Sequence, residues 1–184
     1  MQHKSFGLVL AGGGARGMAH VGALRALNHH GYFPSVVAGV SIGALVAATY
    51  SLNPNWYLDL REMDVSGFPR LPAFKTHGLK ERIKGFVLAG RDLKSLTLGW
   101  GIGEHTVDWG RSVIEDLTLG KDLQQGRVKT LITATDILSG KRVIKKRGHA
   151  VDAVYASSAI AGILPPFEDG KHLLVDGGYS DSSP

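Results

Sequence analysis

Along the chain, short unbroken apolar runs alternate with longer stretches in which apolar residues recur at helical spacing. Phe6-Gly-Leu-Val-Leu-Ala11 is mostly apolar and runs into glycines, the pattern of a buried parallel strand. From Met18 to His30, Met18, Val21, Ala23, Leu24 and Leu27 fall near one face of a helix that Gly31 terminates. Ser35-Val-Val-Ala-Gly39 reads as a second buried strand. Ile42 to Leu52 is almost entirely apolar or small, which predicts a helix enclosed on most sides and stopped before Pro54. Strand, helix, strand, helix in that order predicts an α/β fold with a right-handed crossover.

The middle of the chain is less regular. Between Asn55 and Asp122, Gly, Pro and Trp are scattered among short helical patterns, of which Glu104 to Leu117 is the clearest. The segment reads as a helical insertion over the sheet, and Phe86 to Trp100 is apolar enough for a lid. Val128 to Thr135 returns to strand, and Lys141 to Lys146 pairs with it across the turn Leu138-Ser-Gly140. Ala150 to Ser158 is helical, Gly162 to Phe167 is a Pro-containing loop, and Lys171 to Val175 is a last short strand ending at Asp176. Residues 1–184 therefore form a single α/β domain with a mainly parallel sheet between helical layers.

Composition narrows the chemistry. The chain has no Cys, which excludes disulfides, thiolate metal sites and cysteine nucleophiles. Its 25 glycines lack a collagen-like period and so mark tight turns and close backbone approaches. A net charge of +5 fits an anionic membrane surface or nucleic acid without choosing between them. The first acidic residue is Asp59, and so charge-poor an opening third is expected to lie mostly inside the protein. The Phe6–Ala11 run is too short for a signal peptide, and no stretch of about 18 apolar residues predicts a membrane span.

Three motifs fall at strand ends. Gly39-Val-Ser41-Ile-Gly43 matches G-x-S-x-G, in which a Ser on a sharp strand-to-helix turn projects clear of the sheet. A side chain at Gly39 or Gly43 would collide with the adjoining strand or helix. Gly12-Gly13-Gly14-Ala-Arg16-Gly17 follows the neighbouring strand, and its backbone N–H groups can turn outward to stabilise negative charge. The N–H of Ile42 is the natural further donor to such an oxyanion hole. Gly12, Gly14 and Gly17 also satisfy G-x-G-x-x-G, so phosphate binding is the alternative for this loop. Asp176-Gly177-Gly178 follows the last strand, placing a carboxylate where open α/β sheets bind ligands.

Together these motifs resemble the patatin-like phospholipase family of lipid acyl hydrolases. Ala156-Ser-Ser-Ala-Ile-Ala-Gly-Ile-Leu-Pro-Pro166 and Ala134-Thr-Asp136 also resemble family sequence. The likeness implies a patatin-like three-layer α/β/α fold and a serine esterase with Ser41 as nucleophile and Asp176 as its dyad partner. Gly12, Gly13, Gly14 and Arg16 would form or brace the oxyanion site. It implies phospholipid, lysophospholipid or neutral acylglycerol as substrate, hydrolysed through an acyl-Ser41 intermediate. Two departures stand out: Ser182 occupies a position where the family commonly has Asn, and the chain ends at Pro184, short of the family's usual further strand and helix.

A Ser-His-Asp triad of the α/β-hydrolase type requires a His after the acid, yet His172 is the last in the chain. His20, His29 and His30 belong to the first helix; His3, His77, His105, His149 and His172 are read as structural or solvated. Asp136 is a competing strand-end carboxylate with a weaker motif. The basic run Lys141, Arg142, Lys145, Lys146 and Arg147 reads as a solvated hairpin face, with lipid headgroups as the alternative partner. No metal and no cofactor is implied. The expected partner is a lipid met at a membrane surface, not nucleic acid, by a cytoplasmic protein peripheral to that membrane. The rival readings are a dinucleotide-binding module and an inactive lipid-binding relative. The first lacks the acidic residue about 20 positions beyond the loop that would hold a ribose.

Overall fold

The computed structural model describes residues 5–63, 104–161 and 163–184. Among them the element order is β1 (Gly7–Leu10), α1 (Ala19–His29), β2 (Val36–Val40), α2 (Ile42–Leu52), α3 (Trp56–Glu62) and α4 (Glu104–Thr118). It continues with β3 (Lys129–Asp136), β4 (Lys141–Lys145), α5 (Ala150–Ser158), β5 (Phe167–Asp169) and β6 (His172–Asp176). Short 3-10 turns cover Gly14–Met18, Leu123–Gln125 and Gly177–Tyr179. Within the expected insertion, α4 covers the Glu104 to Leu117 pattern, and Trp56–Glu62, which the sequence did not single out, is also helical. The lid expected at Phe86 to Trp100 lies outside the described residues.

The sheet runs β1-β2-β3-β6-β5, with β4 attached to β3. β1, β2 and β3 are parallel neighbours, the arrangement that βαβ crossovers produce. The other pairings are antiparallel: β3–β4 and β5–β6 are hairpins, and β3–β6 joins strands distant in the chain. β5 begins at Phe167, the last residue of the expected loop, and takes in Glu168 and Asp169, to which the sequence assigned no element; Asp169 turns through Gly170, at φ 61°, into β6. A hairpin loop of this kind needs a positive φ, which glycine supplies at no steric cost.

β4 pairs with Ile132 to Asp136 of β3 on one edge, so β2 and β6 must share the other. Along that edge Val40, the last residue of β2, lies opposite Thr133, and Asp176, the last residue of β6, lies opposite Ala134. β2 runs parallel to β3 and β6 antiparallel to it, so the two strands point at each other. Their C-terminal ends meet one β3 residue apart, a step of about 3.3 Å.

Leu10, Val37 and Ile132 project to the same face and share one core with residues of all five helices among the described residues. These helices make up one of the two outer layers expected. At its centre is α2, in which every residue from Gly43 to Leu52 is buried. A helix apolar on all sides is stable only when enclosed in this way. Two expectations about the N-terminal part need correction. Among the described residues β1 is an edge strand, and Val9, on the face away from the helices, is half exposed. The charge-poor opening is likewise not mostly internal, because α1 turns uncharged Ala19, Gly22, Ala23 and Ala26 toward solvent. Absence of charge there reflects small neutral residues, and only β2 and α2 are enclosed.

Candidate active site

The turn from β2 into α2 carries Ser41 at φ 55° and ψ −127°, a conformation that costs a non-glycine residue about 1–3 kcal/mol. Close packing enforces it. A Cβ on Gly39 would sit 2.2 Å from the Gly43 carbonyl oxygen, and one on Gly43 would sit 2.1 Å from the carbonyl oxygen of Leu10. Both flanking positions therefore admit only hydrogen, as the motif requires, and the turn is locked between β1, β2 and α2. Gly17 is equally constrained, since its Cβ would meet Ile42 Cγ2 at 2.1 Å. That contact seats the glycine loop against the first turn of α2.

Held this way, Ser41 donates its hydroxyl hydrogen to Asp176 Oδ2 at 2.7 Å. The other carboxylate oxygen, Oδ1, accepts the Gly178 N–H at 2.8 Å, so both oxygens are oriented. The bond between residues 41 and 176 follows from the head-to-head meeting of β2 and β6. Gly177 makes the approach possible: a Cβ there would lie 2.4 Å from the Thr133 carbonyl oxygen. Asp176 is only 7% exposed. Burial pushes its carboxyl above the ordinary value, and the hydrogen bonds from Ser41 and Gly178 pull only part of the way back. A carboxylate raised in this way is a better base than one in water.

The glycine loop leads from β1 into the 3-10 turn Gly14–Met18, beside the α2 N-terminus. Gly13 and Gly14 are exposed, and their N–H groups have no acceptor among the described residues. The Ile42 N–H, at the first position of α2, is one of that helix's orphan donors. Gly12 differs, because its N–H donates to the Ser182 carbonyl oxygen at 3.1 Å. Arg16 is exposed on the 3-10 turn with no ion pair among the described residues. The structure thus brings Ser41, Asp176, Gly13, Gly14 and Ile42 to one end of the parallel strands and gives Gly12 a partner in the C-terminal segment.

No histidine hydrogen-bonds to Ser41 or Asp176 among the described residues. His20 Nε2 lies 2.9 Å from the Ala11 carbonyl oxygen, and His149 Nε2 lies 3.2 Å from that of Gly120. His172 Nδ1 meets Asp136 Oδ2 at 3.0 Å. Asp136, the rival carboxylate, also accepts Ser139 Oγ–H and the N–H groups of Leu138 and Leu173. Burial by itself would raise its carboxyl, but these donors outweigh that and hold it well below the usual range. It clamps β6 to the far end of β3 and is a poor base. In the basic hairpin, Arg142 pairs with Asp181 and Lys145 with Asp169.

Sequence reasoning assigned no role to two residues that touch this site. One is Ser182, through its carbonyl. The other is Ser157, whose Oγ accepts the Ser41 N–H at 2.9 Å. Its signal was the family-like run Ala156 to Pro166, which marks a segment but singles out no atom.

A family model described as patatin-like phospholipase matches residues 8–184. Lysophospholipase NTE1 of Pyricularia oryzae is 34% identical over 182 residues, covering 97% of this chain and 11% of that protein. Lysophospholipase NTE1 of Eremothecium gossypii is 30% identical over 192 residues, covering 98% of this chain and 11% of the relative. The chain thus spans about a tenth of the length of the curated relatives it matches. Among solved structures, VipD from Legionella pneumophila superposes with a TM-score of 0.58 at 16% identity. That match covers 99% of this chain and 47% of VipD, and shows a shared fold.

Proposed function

This chain belongs to the patatin-like phospholipase family, and on that premise we propose that it hydrolyses acyl esters of phospholipids or lysophospholipids with a Ser41–Asp176 dyad. The observation that carries the reading is the 2.7 Å hydrogen bond from the Ser41 hydroxyl to a buried carboxylate on a separate strand. The lysophospholipase names of the relatives favour the substrate class.

Asp176 takes the Ser41 proton as Oγ attacks the ester carbonyl carbon, and the carbonyl oxygen becomes an oxyanion. The N–H groups of Gly13, Gly14 and Ile42 receive that charge, helped by the positive end of the α2 dipole. A single well-aimed donor of this kind is worth about 3 kcal/mol of barrier. As the tetrahedral intermediate collapses, the C–O bond to the alcohol breaks and the alcohol leaves with the proton held by Asp176. Water then gives a proton to Asp176 and attacks the acyl-Ser41 ester, and collapse releases the fatty acid and restores the Ser41 hydroxyl. The base is a carboxylate, which is weak even when burial raises it, so oxyanion stabilisation carries much of the barrier. That balance suits esters, whose alkoxide leaves more readily than an amine. No helix among the described residues is long and apolar enough to cross a membrane; in this reading the domain meets its lipid at a surface, from the cytoplasm.

A fluorophosphonate probe tests the assignment. The wild-type chain should be labelled in proportion to its lysophospholipid hydrolysis, and Ser41→Ala should lose both. Undiminished labelling of Ser41→Ala would overturn the nucleophile.

A further inference from the structure

Resting on Ser41 as the nucleophile, we propose that Ser157 is a positioning residue, and that the C-terminal end of α5 is the template that sets the dyad's geometry. Ser157 is fully buried in the last turn of α5. Its hydroxyl accepts the Ser41 N–H at 2.9 Å and donates to the Thr133 carbonyl oxygen at 2.6 Å. The direction of both bonds is forced, since an amide only donates and a carbonyl only accepts. A buried helical serine commonly turns back to the carbonyl four residues earlier. Ser157 instead reaches off its helix to two other elements.

Those two elements are the ones that matter for the dyad. Thr133 is the β3 residue opposite the end of β2, one position from the residue opposite Asp176. Two residues beyond Ser157, the Ala159 carbonyl oxygen accepts the Asp176 N–H at 3.0 Å. One helix end therefore grips the main chain of both partners, Ser41 through a hydroxyl and Asp176 through a carbonyl. The grip on Ser41 also has a job to do. Its backbone lies in a disfavoured region, and its N–H has been turned away from any ladder partner. Without an acceptor that half-buried donor would draw the turn toward another conformation. Because Ser157 occupies the Ser41 N–H, the nucleophile's own amide is withheld from the oxyanion, which is left to Gly13, Gly14 and Ile42.

The test measures acylation by a chromogenic short-chain ester, with the rate constant expressed per active site titrated by fluorophosphonate. Ser157→Ala should acylate about tenfold to a hundredfold more slowly per titrated site, with KM changed less than about threefold. Ser157→Cys fills nearly the same space with a poor acceptor and should show the same split, so it decides the matter where the alanine variant does not fold. An acylation rate within about twofold of wild type in these variants overturns the proposal. So does a loss confined to KM or to the titratable fraction, which is the signature of a merely structural serine. On the wild-type protein, hydrogen exchange of the Ser41 amide should require global unfolding, and exchange at the rate of a surface amide overturns the grip directly. Absence of any acylation in the wild type would instead refute the hydrolase reading itself.

Discussion

Replacing Gly177 by Ala should disable the site without touching either side chain of the dyad. A Cβ at 177 would lie 2.4 Å from the Thr133 carbonyl oxygen and 2.7 Å from Val40 Cγ2. The first of these is main chain in the middle of the sheet, and Val40 is fully buried, so neither neighbour can swing aside. Restoring ordinary contact, which begins at 3.4 Å, requires residue 177 to move by about 1 Å. Asp176 is the adjoining residue, and the same displacement would stretch its 2.7 Å bond to Ser41 to about 3.7 Å, past the hydrogen-bond range of about 3.2 Å. A misplacement of that size costs on the order of a hundredfold in turnover. The overpacked sheet should lose about 1–3 kcal/mol, which for a chain this long lowers Tm by about 2–4 °C per kcal/mol. The assay is kcat on a lysophospholipid beside a thermal melt, with Gly22→Ala as control, since a Cβ on Gly22 meets nothing within 4 Å. If Gly177→Ala turns over within about threefold of wild type, the argument that strand packing sets the dyad distance is refuted.

Other expectations follow from the same geometry. Because the Asp176 carboxyl is raised by burial, kcat/KM should fall in acid with a midpoint above the ordinary carboxylate value of about 3.9; a pH–rate profile checks this. A raised carboxyl favours the fold below its unfolded value, and that contribution is lost as pH rises through the folded value. Asp176→Asn should therefore be inactive yet more stable than wild type at neutral pH, with the gap closing in acid, as denaturant melts across pH will show. Asp136 has the opposite sign: its lowered carboxyl contributes stability above about pH 3.9 that is lost as pH falls through the folded value. Asp136→Ala deprives the buried Leu173 N–H, the more exposed Leu138 N–H and two side chains of their acceptor and should cost about 2–4 kcal/mol at pH 7, a deficit that narrows below about pH 4. Gly22→Ala, in the open interior of α1, should gain about 0.5–1 kcal/mol by reducing the freedom of the unfolded chain.

Much of the site is a local property of the chain and was legible as such. G-x-S-x-G specifies its own turn, because two missing side chains and one strained serine are needed within five residues whatever surrounds them. The glycine loop likewise announces a backbone that can present N–H groups, and the unbroken apolar run of α2 announces its enclosure. The order of strands and helices up to Leu52 then follows from periodicity alone. The hairpin β5–β6 was missed because its first strand has only three residues, too few for a period to show.

What no stretch of sequence contains is a meeting between residues 135 positions apart. That Asp176 and not Asp136 reaches Ser41 depends on which edge of β3 each neighbour takes: β4 occupies one, leaving β2 and β6 to converge end to end on the other. The same tertiary arrangement raises one aspartate by burying it with few donors and lowers the other by surrounding it with four. It also recruits Ser157, an unremarkable helical serine by composition, and turns the Gly12 amide to Ser182. Local spacing is enough to determine the chemical groups on offer, because backbone sterics act over a few residues. Which of them touch, and with what proton affinity, is decided by strand pairing and burial, which act between segments distant in the chain.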